Sequence, residues 1–152
     1  MSIVIPEGWS HYSRDQFENH LGPLFYRVDR ERSRLLAMMH IGEHHYNGIG
    51  TVHGGVTMTM ADYALCLVAF LSPNAMAGAV TVNMKVDFIG GARNCDTLRA
   101  EAELVHETGK LMFGRGQIET DSGPIAVFSG CVKPYATRED SAITRQVRAG
   151  ES

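Results

Sequence analysis

The chain is poor in cysteine. Cys66, Cys95 and Cys131 are odd in number, widely spaced and never form a C-x-x-C pair. That excludes a disulfide framework and a cysteine zinc site, and it predicts a protein of the reducing cytoplasm. Positive charge is also short: the formal net charge is -3. A nucleic-acid binder needs a basic surface, so none is expected. No long run of like charge occurs. Residues 1–10 have no basic start and only a short apolar run, so no secretory signal is expected. There is no G-x-S-x-G nucleophile elbow and no G-x-x-x-x-G-K-[ST] phosphate loop. Among His44, His45 and His53 the helical H-x-x-x-H spacing is missing as well. His44, His45 and His53 are therefore not read as a metal site, and no cofactor is expected.

What is present suits one domain. The 152 residues can bury a sizeable core, and 44% are hydrophobic. The run 56–71 is apolar except for Thr57, Thr59 and Asp62. It is shorter than the roughly 20 residues of a membrane span and carries a carboxylate, so a buried helix over about 55–72 is predicted. A short helix over 13–20 is expected, with Ser13 as its N-cap, followed by strands near 24–29 and 34–41. In 80–88, Val80, Val82, Met84, Val86 and Phe88 alternate with polar residues, which predicts a half-buried strand. Strands over 96–107, 111–120 and 124–135 follow, with turns at Thr108-Gly109-Lys110 and Asp121-Ser122-Gly123. The helix shows no polar face, so a curved sheet wrapped around it is the expected arrangement. The last four strands are expected to form an antiparallel meander. The polar tail 136–152 carries no evident core position. A single domain over 1–152, with its core at about 20–135, is expected.

Asp62 is the residue that most needs an explanation. A carboxylate in an apolar helix is costly unless something satisfies it. It serves either as a structural group in a hydrogen-bond network or as a functional one. The segment before it reads Asn47-Gly48-Ile49-Gly50-Thr51-Val52-His53-Gly54-Gly55. Its glycines let backbone approach a ligand, and it leads into a helix start. Free N–H groups there can bind a phosphate or stabilise an oxyanion. Asp62 lies two turns further on, roughly 12 Å along the axis. A dimer could bring one chain's helix start to the other's Asp62. Cys66 reads as a packing residue on the helix rather than a nucleophile.

The run Asn47, Gly50, His53, Gly54, Gly55, Ala61 and Asp62 resembles the signature of hotdog-fold thioesterases of the phenylacetic-acid-degradation type. The likeness continues through 80–89, 96–110 and the turn at Asp121 and Gly123, so it covers about 20–135. It implies an α+β hotdog fold, an antiparallel curved sheet wrapped around one long central helix. It also implies hydrolysis of an acyl-CoA thioester to free acid and CoA at a dimer interface. The Gly54 N–H would polarise the carbonyl with help from Asn47. Asp62 of the other subunit would act as general base or nucleophile, and Thr81 would hold the water. His53 would support the loop, and Gly55 would lie against substrate. Where the family often carries an Arg-Pro or Lys-Pro pair and a Gly-Asp, this chain has Gly90-Gly91-Ala92-Arg93-Asn94-Cys95-Asp96. Arg93 is the cation left to meet the CoA phosphates. A homodimer, and by likeness a homotetramer of two dimers, is implied.

Two other readings use the same residues. A hotdog hydratase or dehydratase would pair a histidine with the carboxylate. A non-catalytic acyl-CoA-binding or regulatory module would bind without turnover. Fold alone does not separate them, but a pure binder has no need of Asp62 as a base.

Overall fold

The computed structural model describes residues 3–12, 15–74, 78–95 and 97–135. Among the described residues, seven strands and two α-helices occur in the order β1 (Ser10–His11), α1 (Gln16–Leu21), β2 (Leu24–Asp29), β3 (Arg34–His40), α2 (Gly54–Leu67), β4 (Gly78–Phe88), β5 (Thr97–Glu107), β6 (Met112–Thr120) and β7 (Gly123–Tyr135). A 3-10 turn, Val68–Leu71, prolongs α2. All strands join one antiparallel sheet in the order β1-β2-β3-β5-β6-β7-β4. The sheet packs around α2. Val56, Met60, Ala61, Ala64, Leu65 and Val68 of that segment face the sheet and are buried. Each of the larger ones contributes about 1.5–3 kcal/mol by leaving water. The segment Gly54–Leu71 has the length and hydropathy of a membrane span, yet more than half of it is buried inside this sheet.

Several expectations need adjusting. The N-cap of α1 is Asp15, whose carboxylate accepts from the Glu18 N–H at 2.9 Å; Ser13 lies outside the described residues, as does the tail 136–152. The last four strands are not one meander. β5, β6 and β7 are, but β4 pairs only with β7 and forms the edge. The reason is the crossover: α2 spans the sheet between β3 and β4, so the chain emerges at the far side. After residues 89–95, β5 pairs with β3.

The alternation in β4 also breaks. A bulge lies between Thr81 and Asn83, where Thr81 faces Val132 and Asn83 faces Cys131. A bulge inserts one unpaired residue and reverses which side chains face in. Ala79 therefore packs on the core before it and Met84 and Val86 after it, while Val80 and Val82 point away and are exposed. Thr81 is thereby turned toward α2. Gly130 on β7 accommodates the bulge: a Cβ there would collide with the Asn83 carbonyl oxygen and press on Leu65 of α2.

Candidate active site

The loop before α2 is held by its own side chains. Asn47 Oδ1 accepts from the N–H groups of Ile49 and Thr51, each at 3.1 Å, and its Nδ2 donates to Thr51 Oγ1 at 2.7 Å. Gly50 sits at φ 75°, where a side chain would be strained. Arg93 donates from its guanidinium to the Ile49 carbonyl at 3.0 Å, closing the loop from the segment after β4. The Val52 N–H donates to the Ala92 carbonyl at 2.9 Å. Asn47 and Arg93 thus spend polar groups on the loop itself.

His53 is the N-cap of α2. Its Nδ1 accepts from the Gly55 N–H at 2.9 Å, and its carbonyl accepts from the Val56 N–H at 2.9 Å. Its other ring nitrogen, Nε2, then carries the proton. The Gly54 N–H, first in the helix, finds no acceptor among the described residues. It lies where the helix dipole favours negative charge. The Phe88 ring stands beside Gly54, 3.5 Å from where a Cβ would be. The neighbouring His45 is structural: Nδ1 accepts from the Gly42 N–H at 2.8 Å and Nε2 donates to the Leu21 carbonyl at 2.6 Å. His44 reaches the same carbonyl. No three metal-ligating side chains converge among the described residues.

Asp62 is not buried. Gly55, Met58 and Asp62 form an exposed stripe on α2, spaced by three and four residues, where the sheet leaves the helix uncovered. The expectation of a helix without a polar face fails here, because one carboxylate and one glycine suffice to define that face. Asp62 Oδ1 accepts from Thr81 Oγ1 at 2.5 Å, and Thr81 Oγ1 lies 3.1 Å from Cys66 Sγ. Such a short O–H···O⁻ bond is charge-assisted and stronger than one between neutral groups.

These residues open into a cleft of about 300 Å³ between α1, α2 and the start of β4. Asp62, Thr81 and Cys66 line it with Glu18, Tyr26, Tyr63 and Phe70. Glu18 was not expected to belong to a site. Burial pushes its carboxyl up to about 8, with the charges of Asp15 and Asp62 adding to the effect. Burial likewise pushes the Cys66 thiol up to about 11, with its hydrogen-bond contact to Thr81 Oγ1 acting the other way. The Tyr63 hydroxyl is also raised, by burial first and then by Glu18. Glu18 was not legible because only tertiary folding lays α1 over the cleft. A larger hollow of about 430 Å³ lies on the outer face of the sheet, away from Asp62. Its charges are mutually paired, Arg34 and Arg115 with Glu103 and Lys85 with Asp87, so the smaller cleft is the one with a reactive arrangement.

A curved antiparallel sheet around one long helix, with a glycine-led helix start, defines a hotdog-fold domain. Residues 49–127 match the model of the thioesterase superfamily. The chain belongs to that superfamily and is a thioesterase. It is 32% identical over 127 residues to a Pseudomonas aeruginosa protein with a provisional esterase name, covering 83% of this chain and 94% of that one. It is 29% identical over 97 residues to human acyl-coenzyme A thioesterase 13, covering 64% of this chain and 68% of that one. Among solved structures it resembles the Escherichia coli protein from the phenylacetic acid degradation operon. The TM-score is 0.70 at 22% identity, over 82% of this chain and 88% of that one.

Proposed function

We propose that the chain hydrolyses acyl-CoA thioesters to free acid and CoA at a site shared between two subunits. The observation that carries this reading is the Asp62 carboxylate, oriented by Thr81 at the mouth of an apolar-walled cleft and open to solvent in the single chain. The name of the human relative and a Bacillus halodurans structure containing CoA, 27% identical over 66% of each chain with a TM-score of 0.59, support CoA as the carrier.

The reaction needs an oxyanion donor and a base. The Gly54 N–H receives the carbonyl oxygen, with Asn47 and His53 fixing the loop around it. Asp62 of the second subunit takes a proton from water while the water oxygen bonds to the thioester carbon. The carbonyl electron pair moves onto oxygen, then returns and expels the CoA thiolate, which takes the proton back from Asp62. Direct attack by Asp62 gives the same products through an anhydride. A single turnover in ¹⁸O-water identifies direct attack when label enters the Asp62 carboxyl, which happens when water opens the anhydride at the Asp62 carbonyl. Gly55 backs the loop, and Arg93, which closes it, is the cation offered to a CoA phosphate.

Two turns of α2 separate Gly54 and Asp62 in one chain, roughly 12 Å, so one chain does not supply both to one carbonyl. The unpaired edge of β4 supports a dimer, because an edge strand with outward Val80 and Val82 is a template for pairing. A tetramer of two such dimers and a cytoplasmic location complete the reading. The three free thiols suit that compartment. The match to the thioesterase superfamily favours hydrolysis over hydration.

The test is thiol release from short, medium and aromatic acyl-CoAs by the wild type and Asp62→Asn. Turnover of at least one by the wild type, lost in a folded variant, is expected. Equal rates in both proteins would remove Asp62 from the mechanism.

A further inference from the structure

We infer that Cys66 is a positioning residue for this hydrolysis: its thiol donates to Thr81 Oγ1 and so commits the Thr81 proton to Asp62. The inference rests on the reading of Asp62 as the base. Asp62 and Cys66 are four residues apart on α2 and share one helix face. The bulge in β4 brings Thr81 opposite both, at 2.5 Å from Asp62 Oδ1 and 3.1 Å from Cys66 Sγ. A hydroxyl has one hydrogen, and an ionised carboxylate only accepts. The Thr81 hydrogen therefore goes to Asp62, and the contact with sulfur requires S–H as donor. Burial keeps that thiol protonated at neutral pH.

The consequence is directional. Without a donor at sulfur, the Thr81 hydroxyl hydrogen can turn from Asp62 toward solvent in the cleft. With the S–H in place one acceptor site on Oγ1 is filled, and each bond in the chain S–H···O–H···O⁻ polarises the next. Thr81 then serves as a fixed donor to Asp62 rather than as a donor to water. Among the described residues, the titratable groups that line the cleft with this pair are Asp15, the N-cap of α1, Glu18 of α1, Tyr12 ahead of it, Tyr26 of β2, Tyr63 of α2 and Tyr135 of β7. Among the described residues none of these is a cation, and the Thr81 hydroxyl is the donor that meets the Asp62 charge.

Infrared difference spectra of wild type minus Cys66→Ser isolate one S–H stretch from the three thiols. The band is expected at lower frequency in the wild-type background than in Thr81→Val. A band that Thr81→Val leaves unmoved overturns the inference. In kinetics, Cys66→Ala is expected to lower kcat about tenfold, the worth of one hydrogen bond, with KM nearly unchanged. The acid limb of its kcat profile should move to higher pH, because Asp62 loses a donor that favours its charged form. Cys66→Ser, which restores a donor, should recover both. If Cys66→Ser is as impaired as Cys66→Ala, or the acid limb stays in place, Cys66 only packs. A wild type that releases no thiol sinks the hydrolysis reading and this role together. An active wild type with an unmoved band sinks this role alone.

Discussion

In the loop that leads into α2 the polar groups answer one another, whereas two helical turns further on three carboxyl groups crowd one cleft. Asn47, Thr51, His53 and Arg93 hold backbone and each other, leaving the Gly54 N–H as the open donor. Around Asp62, the Thr81 hydroxyl is the one side-chain donor among the described residues, and the charges of Asp15 and Asp62 add to the burial that keeps Glu18 protonated. The first region is rigid and electropositive, as an oxyanion requires. The second presents an oriented carboxylate to the cleft, as a base requires. The contrast teaches that the two groups the proposed reaction needs are built on opposite local rules, two helical turns apart on one chain.

Breaking the second region at its centre has the largest expected effect. Asp62→Asn should cut kcat by about 10²- to 10⁴-fold, the usual worth of a positioned base, while circular dichroism stays native. Breaking the first region should cost somewhat less. Gly54→Pro removes the free N–H yet suits the first turn of a helix, and His53 at φ -61°, ψ 137° already has the backbone that precedes proline. A loss of about 10²- to 10³-fold in kcat with an unchanged Tm is expected from loss of one oxyanion donor. A kcat within twofold of wild type would show that the donor lies elsewhere.

The scaffold that joins the regions can be strained separately. Gly130→Ala forces a methyl against the Asn83 carbonyl and Leu65, so urea unfolding should show a loss of about 1–3 kcal/mol. The smallest effect belongs to Glu18. Its folded value of about 8 lies above the ordinary 4.5, so the folded state binds a proton more tightly than the unfolded chain. Stability from this group is complete below pH 4.5 and is lost as pH rises toward 8. Glu18→Gln should remove that slope. Because Glu18 is partly open to solvent, the gain at pH 8.5 is on the order of 1 kcal/mol, or a few degrees in Tm. Parallel Tm-versus-pH curves for the two proteins would contradict the burial argument.

Periodicity and spacing made most of the fold legible. The apolar run 56–71 announced α2, and the strand positions β2, β3, β5, β6 and β7 followed from alternation and turn residues. The two-residue β1 carries no periodic signal and was missed. The edge position of β4 was hidden because strand order is set by the crossover of α2, not by local pattern. The bulge at Thr81 was hidden for a related reason: the sequence alternates smoothly through it, and only the pairing with β7 shows the slip. Asp62 stood out as a charge in an apolar run, and the glycines announced a helix start. Its contact with Thr81, its exposure and the approach of Glu18 depend on how β4 and α1 pack on α2, which no window of sequence contains.

The most direct test of the shared site mixes two inactive proteins. Asp62→Asn keeps the Gly54 donor and Gly54→Pro keeps the carboxylate. Co-refolded in equal amounts, half of the dimers are mixed, and each mixed dimer holds one intact site of two. Thiol release should return to about a quarter of the wild-type rate. If the mixture gives only the sum of the two parental rates while subunit exchange is verified by mass, both groups act within one chain, and the account of a site divided between subunits is wrong.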